Sequence, residues 1–136
     1  MAQAEEQLGS TNRAFELLEY AGRLYPNDAT TQFNLGIMYG IKGASEDGIA
    51  AYRRAIDLEP EFMPAYLNLG LLLFSIDRVS EAAQVFRTGL NIDPISLPMY
   101  YGVALAEQKQ GHAADAEHAM AFAVKIDPEY VKQQAQ

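Results

Sequence analysis

The sequence contains no cysteine and only two histidines. Without cysteine, the chain can form neither disulfides nor thiolate metal sites. The two histidines, His112 and His118, are six residues apart, so they do not form the i, i+4 pair of a helical two-histidine metal site. We therefore predict neither a metal site nor a cofactor from the sequence.

Basic residues are also scarce, with ten Lys and Arg against eighteen Asp and Glu and a net charge of −8. Proteins bind nucleic acid largely by placing basic side chains against phosphates. Here the basic residues are spread along the chain, and Arg53 and Arg54 are the only adjacent pair. We predict no nucleic-acid partner and interpret the acidic balance as that of an ordinary soluble surface.

The chain lacks a long apolar run. The longest one, residues 67–74, is interrupted by Asn68 and is far shorter than the roughly 20 residues of a membrane-spanning helix. The first six residues are acidic and lack the basic and apolar regions of a signal peptide. The sequence therefore predicts a cytoplasmic protein that does not insert into a membrane.

No arrangement of side chains typical of an enzyme is present. No serine has a nearby histidine that suggests a nucleophile and its base. Neighbouring carboxylates such as Glu46 and Asp47 fall at the ends of expected helices, where capping and solvation explain them. The glycines lie within helices or at helix joints, not in a phosphate-binding loop. We predict that the protein is not an enzyme.

Proline, by contrast, recurs at a fixed interval. Pro26, Pro60, Pro94 and Pro128 are each 34 residues apart. A constant spacing of this size indicates stacked supersecondary units. We therefore interpret residues 1–136 as a single repeat domain. It comprises a partial unit at 1–28, full units at 29–62, 63–96 and 97–130, and the start of a capping or further helix at 131–136.

Apolar residues three and four positions apart predict two amphipathic helices in each full unit. The joints between them are predicted at residues 42–44, 76–78 and 110–112. In the partial unit, residues 9–12 are expected to end a short first helix and to start a second one over 13–24. The pattern predicts about seven helices, short terminal turns and no strand.

Small residues occupy equivalent places in the first helix of each unit. Gly36 and Gly70 lie in mid-helix, where glycine costs roughly 1 kcal/mol relative to alanine. We expect that this cost is offset by the close approach of a neighbouring helix, with Ala104 in the same role in the third full unit. In the second helices, Gly48, Ala82 and Ala116 are equally small. Tyr52, Phe86 and Met120, four residues later, are expected to pack against the space that they leave.

These residues together resemble the tetratricopeptide repeat, a 34-residue family pattern of Trp, Leu-Gly, Tyr, Ala, Phe, Ala and Pro at set spacings, although Gln32 stands where the first bulky aromatic is usual. Glu107 departs from the pattern, because its place is normally apolar or aromatic, which leaves the packing of that helix open. The matching positions are Leu35, Gly36, Tyr39, Tyr52, Ala55 and Pro60; Tyr66, Leu69, Gly70, Ala82, Phe86 and Pro94; and Tyr100, Ala116, Ala123 and Pro128.

The resemblance implies an all-α fold, a right-handed α-solenoid of stacked antiparallel helix pairs, whose first helices line a concave groove. Those helices are apolar on more than one face, so each has a second stripe to cover. Asn34 and Asn68 could form hydrogen bonds with a peptide backbone there. The predicted groove residues are Phe33, Asn34, Ile37, Ile41, Leu67, Asn68, Leu71, Phe74, Tyr101, Leu105, Gln108 and Lys109.

Two functions fit such a groove. The leading hypothesis is a scaffold or adaptor that binds a peptide or helical segment of a partner protein. The alternative is a small secretion or assembly chaperone that holds apolar segments of a client. The apolar residues Met120, Phe122, Val124 and Ile126 near the end of the chain, and the short first helix at its start, also predict self-association or a longer array.

Overall fold

The computed structural model describes residues 2–136, with side chains from residue 4 onward. The described residues form eight α-helices and no strand, which agrees with the expectation of an all-α chain. The helices are α1 (Ala2–Leu24), α2 (Ala29–Ile41), α3 (Ser45–Leu58), α4 (Met63–Ser75), α5 (Val79–Ile92), α6 (Leu97–Lys109), α7 (Ala113–Ile126) and α8 (Pro128–Gln134).

The contacts divide the chain into two compact units, one ending at Phe62 and the other beginning at Met63. In the first unit, α1 packs on α2, and α2 packs on α3. In the second unit, α4 packs on α5, α5 on α6, α6 on α7, and α7 on α8. We call α2, α4 and α6 the front helices, because each is the first helix of a 34-residue repeat.

The predicted break at residues 9–12 is wrong, because α1 runs without interruption through this segment. Gly9 has no neighbouring atom within 4 Å of the place a Cβ would occupy, so no packing contact bends the chain there. The Thr11 hydroxyl donates to the Gln7 carbonyl at 2.8 Å and thus bonds within the helix instead of capping a new one. An exposed glycine costs about 1 kcal/mol, too little to divide a helix that nothing else interrupts.

The three predicted joints between paired helices are confirmed, and they share one backbone geometry. Gly43, Asp77 and Gly111 each follow a front helix and have positive φ angles of 78°, 66° and 82°. This left-handed residue ends the helix in a Schellman motif, in which the next N–H bonds back to the helix. Those bonds run from Ala44 to Tyr39, from Arg78 to Leu73 and from His112 to Glu107, each at 2.9 Å.

In the first unit, the core lies between α2 and α3. Leu35, Ile49 and Ala55 are buried, as is Tyr52 at 4% exposure. A Cβ at Gly36 would lie only 2.6 Å from the ring of Tyr52. The expectation that this glycine admits a neighbouring helix is therefore confirmed, since any side chain there would overlap the ring.

In the second unit, one aromatic ring joins three helices. Phe86 of α5 is 1% exposed, and its ring fills the space that side chains would need at both Gly70 of α4 and Gly102 of α6. Ala104, predicted to take the place of the mid-helix glycine, is buried at 3% exposure. Phe86 thus fixes the spacing of α4, α5 and α6 from a single position.

The last helix, α8, begins where Asp127 accepts hydrogen bonds from the N–H groups of Glu129 and Tyr130. Although α8 packs on α7, about 40% of the surface of each of three α7 residues remains exposed: Phe122, Val124 and Ile126. Among the described helices, none combines the length and the apolar character that crossing a bilayer requires.

Candidate functional site

In the first unit, the predicted groove residues lie on α2, and none of them is buried. Ile41 is 66% exposed. Phe33 is partly buried, because its ring packs edge-on against Phe62 with centroids 5.2 Å apart and contacts Tyr52 at 5.8 Å. The α2 face is therefore accessible, but Phe33 also helps to hold the unit together.

In the second unit, α4 has two apolar faces. Leu69 and Leu73 are core residues at 2% and 0% exposure, whereas Leu71 is 50% exposed. Leu67 and Phe74, also predicted groove residues, are partly buried. The helix thus presents to solvent an apolar side that its own core does not use.

The predicted residues on α6 are also accessible. Tyr101 and Leu105 are partly buried, whereas Gln108 and Lys109 are exposed. The Lys109 ammonium group lies 3.1 Å from the Asp77 carboxylate and 4.9 Å from the ring centroid of Phe74. The structure therefore brings Phe74 and Lys109 together, and this lysine is engaged in a cation–π contact and an ion pair.

The two predicted amide positions, Asn34 and Asn68, are partly buried on α2 and α4. Within the portion of the chain whose side chains are described, no hydrogen bond involves either amide. Each amide therefore keeps donors and an acceptor for another molecule.

Tyr130 of α8 lies near Tyr101, and its pKa is raised. The first cause is that Tyr130 is partly buried, and the second is the repulsion between its phenolate and the negative charge of an ionised Tyr101.

A second polar site in this unit surrounds Glu107, which is buried at 2% exposure. One carboxylate oxygen accepts a hydrogen bond from the Arg87 guanidinium at 2.5 Å, and the other lies 2.7 Å from Nδ1 of His112. Burial raises the pKa of Glu107, but the bonds from His112 and Arg87 outweigh burial and leave the pKa below its usual value. The open question about packing at this position is thereby answered: the helix accommodates a paired carboxylate.

The turn after α6 positions this cluster. In a Schellman motif, the residue after the left-handed position lies over the residue that is third from the helix end. Here those residues are His112 and Glu107, so the side-chain contact accompanies the 2.9 Å backbone bond between the same two residues. Sequence reasoning missed the cluster because it compared His112 only with His118. The sequence signal that could have revealed the cluster is a carboxylate at a position that is normally apolar, five residues before a histidine and separated from it by a turn glycine.

A family model described as the tetratricopeptide repeat matches residues 42–94. A search of curated proteins found no match.

Solved structures share the fold. A crystal structure of MamA matches with a TM-score of 0.84 and 24% identity, over 96% of this chain and 76% of that one. A MamA chain comprising residues 41 to the end, from Desulfovibrio magneticus RS-1, matches with a TM-score of 0.80 and 25% identity, over 96% and 73%. This likeness along nearly the whole chain confirms the prediction of an all-α solenoid fold.

The helix pairs match the 34-residue period of the sequence, and the family model spans α3, α4 and α5 with the joints that precede α3 and α5. Residues 42–94 therefore carry the tetratricopeptide-repeat pattern that the sequence predicted.

Proposed function

We propose that the protein binds an extended or helical segment of a partner protein on the solvent-facing apolar sides of its front helices. Leu71 carries this proposal. Its side chain is half exposed, although Leu69 and Leu73 on the same helix are almost completely buried. An apolar side of a helix that fills no core is available for another molecule to cover.

The chemistry of these surfaces defines the partner segment. Leu67 and Leu71 on α4, and Tyr101 and Leu105 on α6, offer apolar contact area, while Asn68 offers an amide to a peptide backbone. The net charge of −8 disfavours strongly acidic segments. The segment is thus apolar at spaced positions and neutral or basic overall, and its binding requires no catalytic group.

A displayed library of random peptides supplies a defined probe. Peptides are selected on the wild-type protein and then tested against Leu71→Glu. The control is Thr88→Glu, which introduces the same residue at an exposed α5 position whose hydroxyl bonds to the Gln84 carbonyl of its own helix. We expect selected peptides to lose at least tenfold in affinity with Leu71→Glu and to keep their affinity with Thr88→Glu.

The outcomes separate the two functions considered. A narrow set of related peptides supports the scaffold, whereas weak binding of many unrelated apolar peptides supports the chaperone. The proposal fails if no peptide is enriched, or if Leu71→Glu and Thr88→Glu bind equally well.

We further propose that the chain associates with itself through α7. Phe122 and Ile126, four residues apart and therefore on one face of α7, are 42% and 39% exposed, and neighbouring exposed apolar side chains commonly form interfaces. Light scattering over a wide concentration range should then give a mass above the 15.0 kDa of the chain. A constant monomer mass at every concentration contradicts this proposal and leaves the peptide-binding proposal unaffected.

A further inference from the structure

Glu107 and His112 have a potential metal ligand near them in Asp115, in the first turn of α7. Each of the three residues offers one ligand atom, and these atoms all lie within 4.8 Å of one another. We propose that Glu107, His112 and Asp115 bind a divalent transition-metal ion such as Zn²⁺.

The distances suit a small ion with little rearrangement. Zn²⁺ lies about 2.0–2.2 Å from its nitrogen and oxygen ligands, so neighbouring ligand atoms are about 3 to 3.5 Å apart. Oε2 of Glu107 and Nδ1 of His112 are already 2.7 Å apart. When the ion binds, Nδ1 gives up any proton it carries, and the neutral ring keeps one proton on Nε2. Asp115 is exposed and can rotate to complete the set.

Two of the three ligands are held in place before the ion arrives. Glu107 is buried on α6. The backbone of His112 is held by its bond to the Glu107 carbonyl, and its ring is positioned by the 2.7 Å contact between Nδ1 and the Glu107 carboxylate. Side chains that are already ordered lose less conformational freedom on binding, which favours affinity. The surrounding pocket has a volume of about 340 Å³ and opens to solvent, so water can fill the remaining coordination positions.

The donor atoms select the class of metal. One imidazole and two carboxylates suit Zn²⁺, Ni²⁺ or Co²⁺, whereas Mg²⁺ and Ca²⁺ prefer sites built entirely of oxygen. Structural zinc sites usually have four protein ligands. A site with three is therefore expected to bind reversibly and more weakly.

Arg87 limits the affinity of the site without blocking it. Its guanidinium pairs with Oε1 of Glu107, whereas Oε2 faces His112, so the ion can bind Oε2 while the Arg87 bond stays intact. The positive charge of Arg87 nevertheless repels a second cation nearby.

Calorimetric titration with ZnCl₂ tests the site on the full chain. We expect one Zn²⁺ per chain, and no detectable heat from MgCl₂ at the same concentration. His112→Gln retains a hydrogen-bond donor for Glu107 and removes the imidazole, so it should fold normally and bind Zn²⁺ at least tenfold more weakly. His118→Ala removes an exposed histidine outside the cluster and should bind like the wild type.

A second readout identifies the ligands directly. The absorption spectrum of bound Co²⁺ should change in Asp115→Asn and stay unchanged in His118→Ala. The proposal is overturned if the wild type binds no Zn²⁺, if His112→Gln binds as tightly as the wild type, or if His118→Ala causes the same loss as His112→Gln.

Discussion

The ring of Phe86 occupies the space that a side chain at position 70 would need. A Cβ built on Gly70 would overlap three atoms of this ring, and Phe86 is itself 1% exposed. The ring cannot move away easily, because it also packs against Gly102 of α6, where an added Cβ would lie 2.8 Å from it. Glycine at position 70 is therefore required by packing and not by backbone conformation.

Gly70→Ala should accordingly destabilise the protein, even though alanine is the better helix former. Forcing extra atoms into a packed core costs about 1–3 kcal/mol, which exceeds the roughly 1 kcal/mol gained in helix propensity. Urea denaturation measures the change. The matched control is Gly40→Ala, since Gly40 is also helical but has nothing within 4 Å. It should stabilise by up to about 1 kcal/mol, and equal effects of the two substitutions would contradict this reading of the core.

The second prediction is that replacing Arg87 destabilises the protein more than replacing its partner Glu107. Arg87→Met removes a partner from a carboxylate that is 2% exposed, and a buried charge that loses a partner costs about 1–3 kcal/mol. Glu107→Leu instead places an apolar residue where repeats of this family usually have one. It should be nearly neutral, because replacing a buried charged group by an apolar one avoids its desolvation.

The double variant Arg87→Met with Glu107→Leu completes a thermodynamic cycle. It should be about as stable as Glu107→Leu alone. Without the Glu107 carboxylate there is no buried charge that needs Arg87, so the loss of Arg87 costs nothing further. Unfolding in EDTA excludes any contribution from bound metal. Additive losses in the double variant would mean that the ion pair does not account for the effect of Arg87.

Sequence reasoning succeeded where a local rule decides the structure. The joints at Gly43 and Gly111, which have left-handed backbone, were predicted from the presence of glycine together with the 34-residue repeat. The joint at Asp77 was predicted from the repeat alone. Sequence reasoning failed where the outcome depends on distant partners. Glu107 is stabilised by Arg87, twenty residues earlier and on another helix, and no periodicity links the two. In α1, the glycine and capping residues at 9–12 are of the types that often end a helix, but no packing contact at Gly9 favours a break.

The third prediction concerns acid stability and Asp28, the N-cap of α2. Its carboxylate accepts bonds from the Thr31 hydroxyl at 2.5 Å and the Thr31 N–H at 2.8 Å. These two bonds, the side-chain bond first, lower the pKa of Asp28 in the folded protein. A carboxyl with a lowered folded pKa stabilises the protein fully above its unfolded value, about pH 3.9. That contribution is lost as the pH falls through the lowered folded pKa.

Asp28→Asn separates this titration from the cap itself. Asparagine caps helices about as well as aspartate but does not ionise. Thermal melts between pH 2 and pH 7 should therefore show a smaller loss of stability in acid for Asp28→Asn than for the wild type. Parallel curves for the two proteins would show that Asp28 has the same pKa in the folded and unfolded states.

The last prediction tests whether Leu71 belongs to the surface or to the core. Leu73→Glu places a charge where the native side chain is fully buried, and an unpaired buried charge is expected to cost several kcal/mol, about 3–5. Leu71 lies two residues earlier on the same helix with half of its surface exposed, so a glutamate there can reach water. Leu71→Glu should therefore cost less than about 1 kcal/mol. Chemical denaturation of the two variants, with Thr88→Glu as the control for an added surface charge, measures the difference. If Leu71→Glu destabilised the protein as much as Leu73→Glu, Leu71 would be a core residue, and the loss of peptide binding expected for Leu71→Glu could no longer be assigned to the surface.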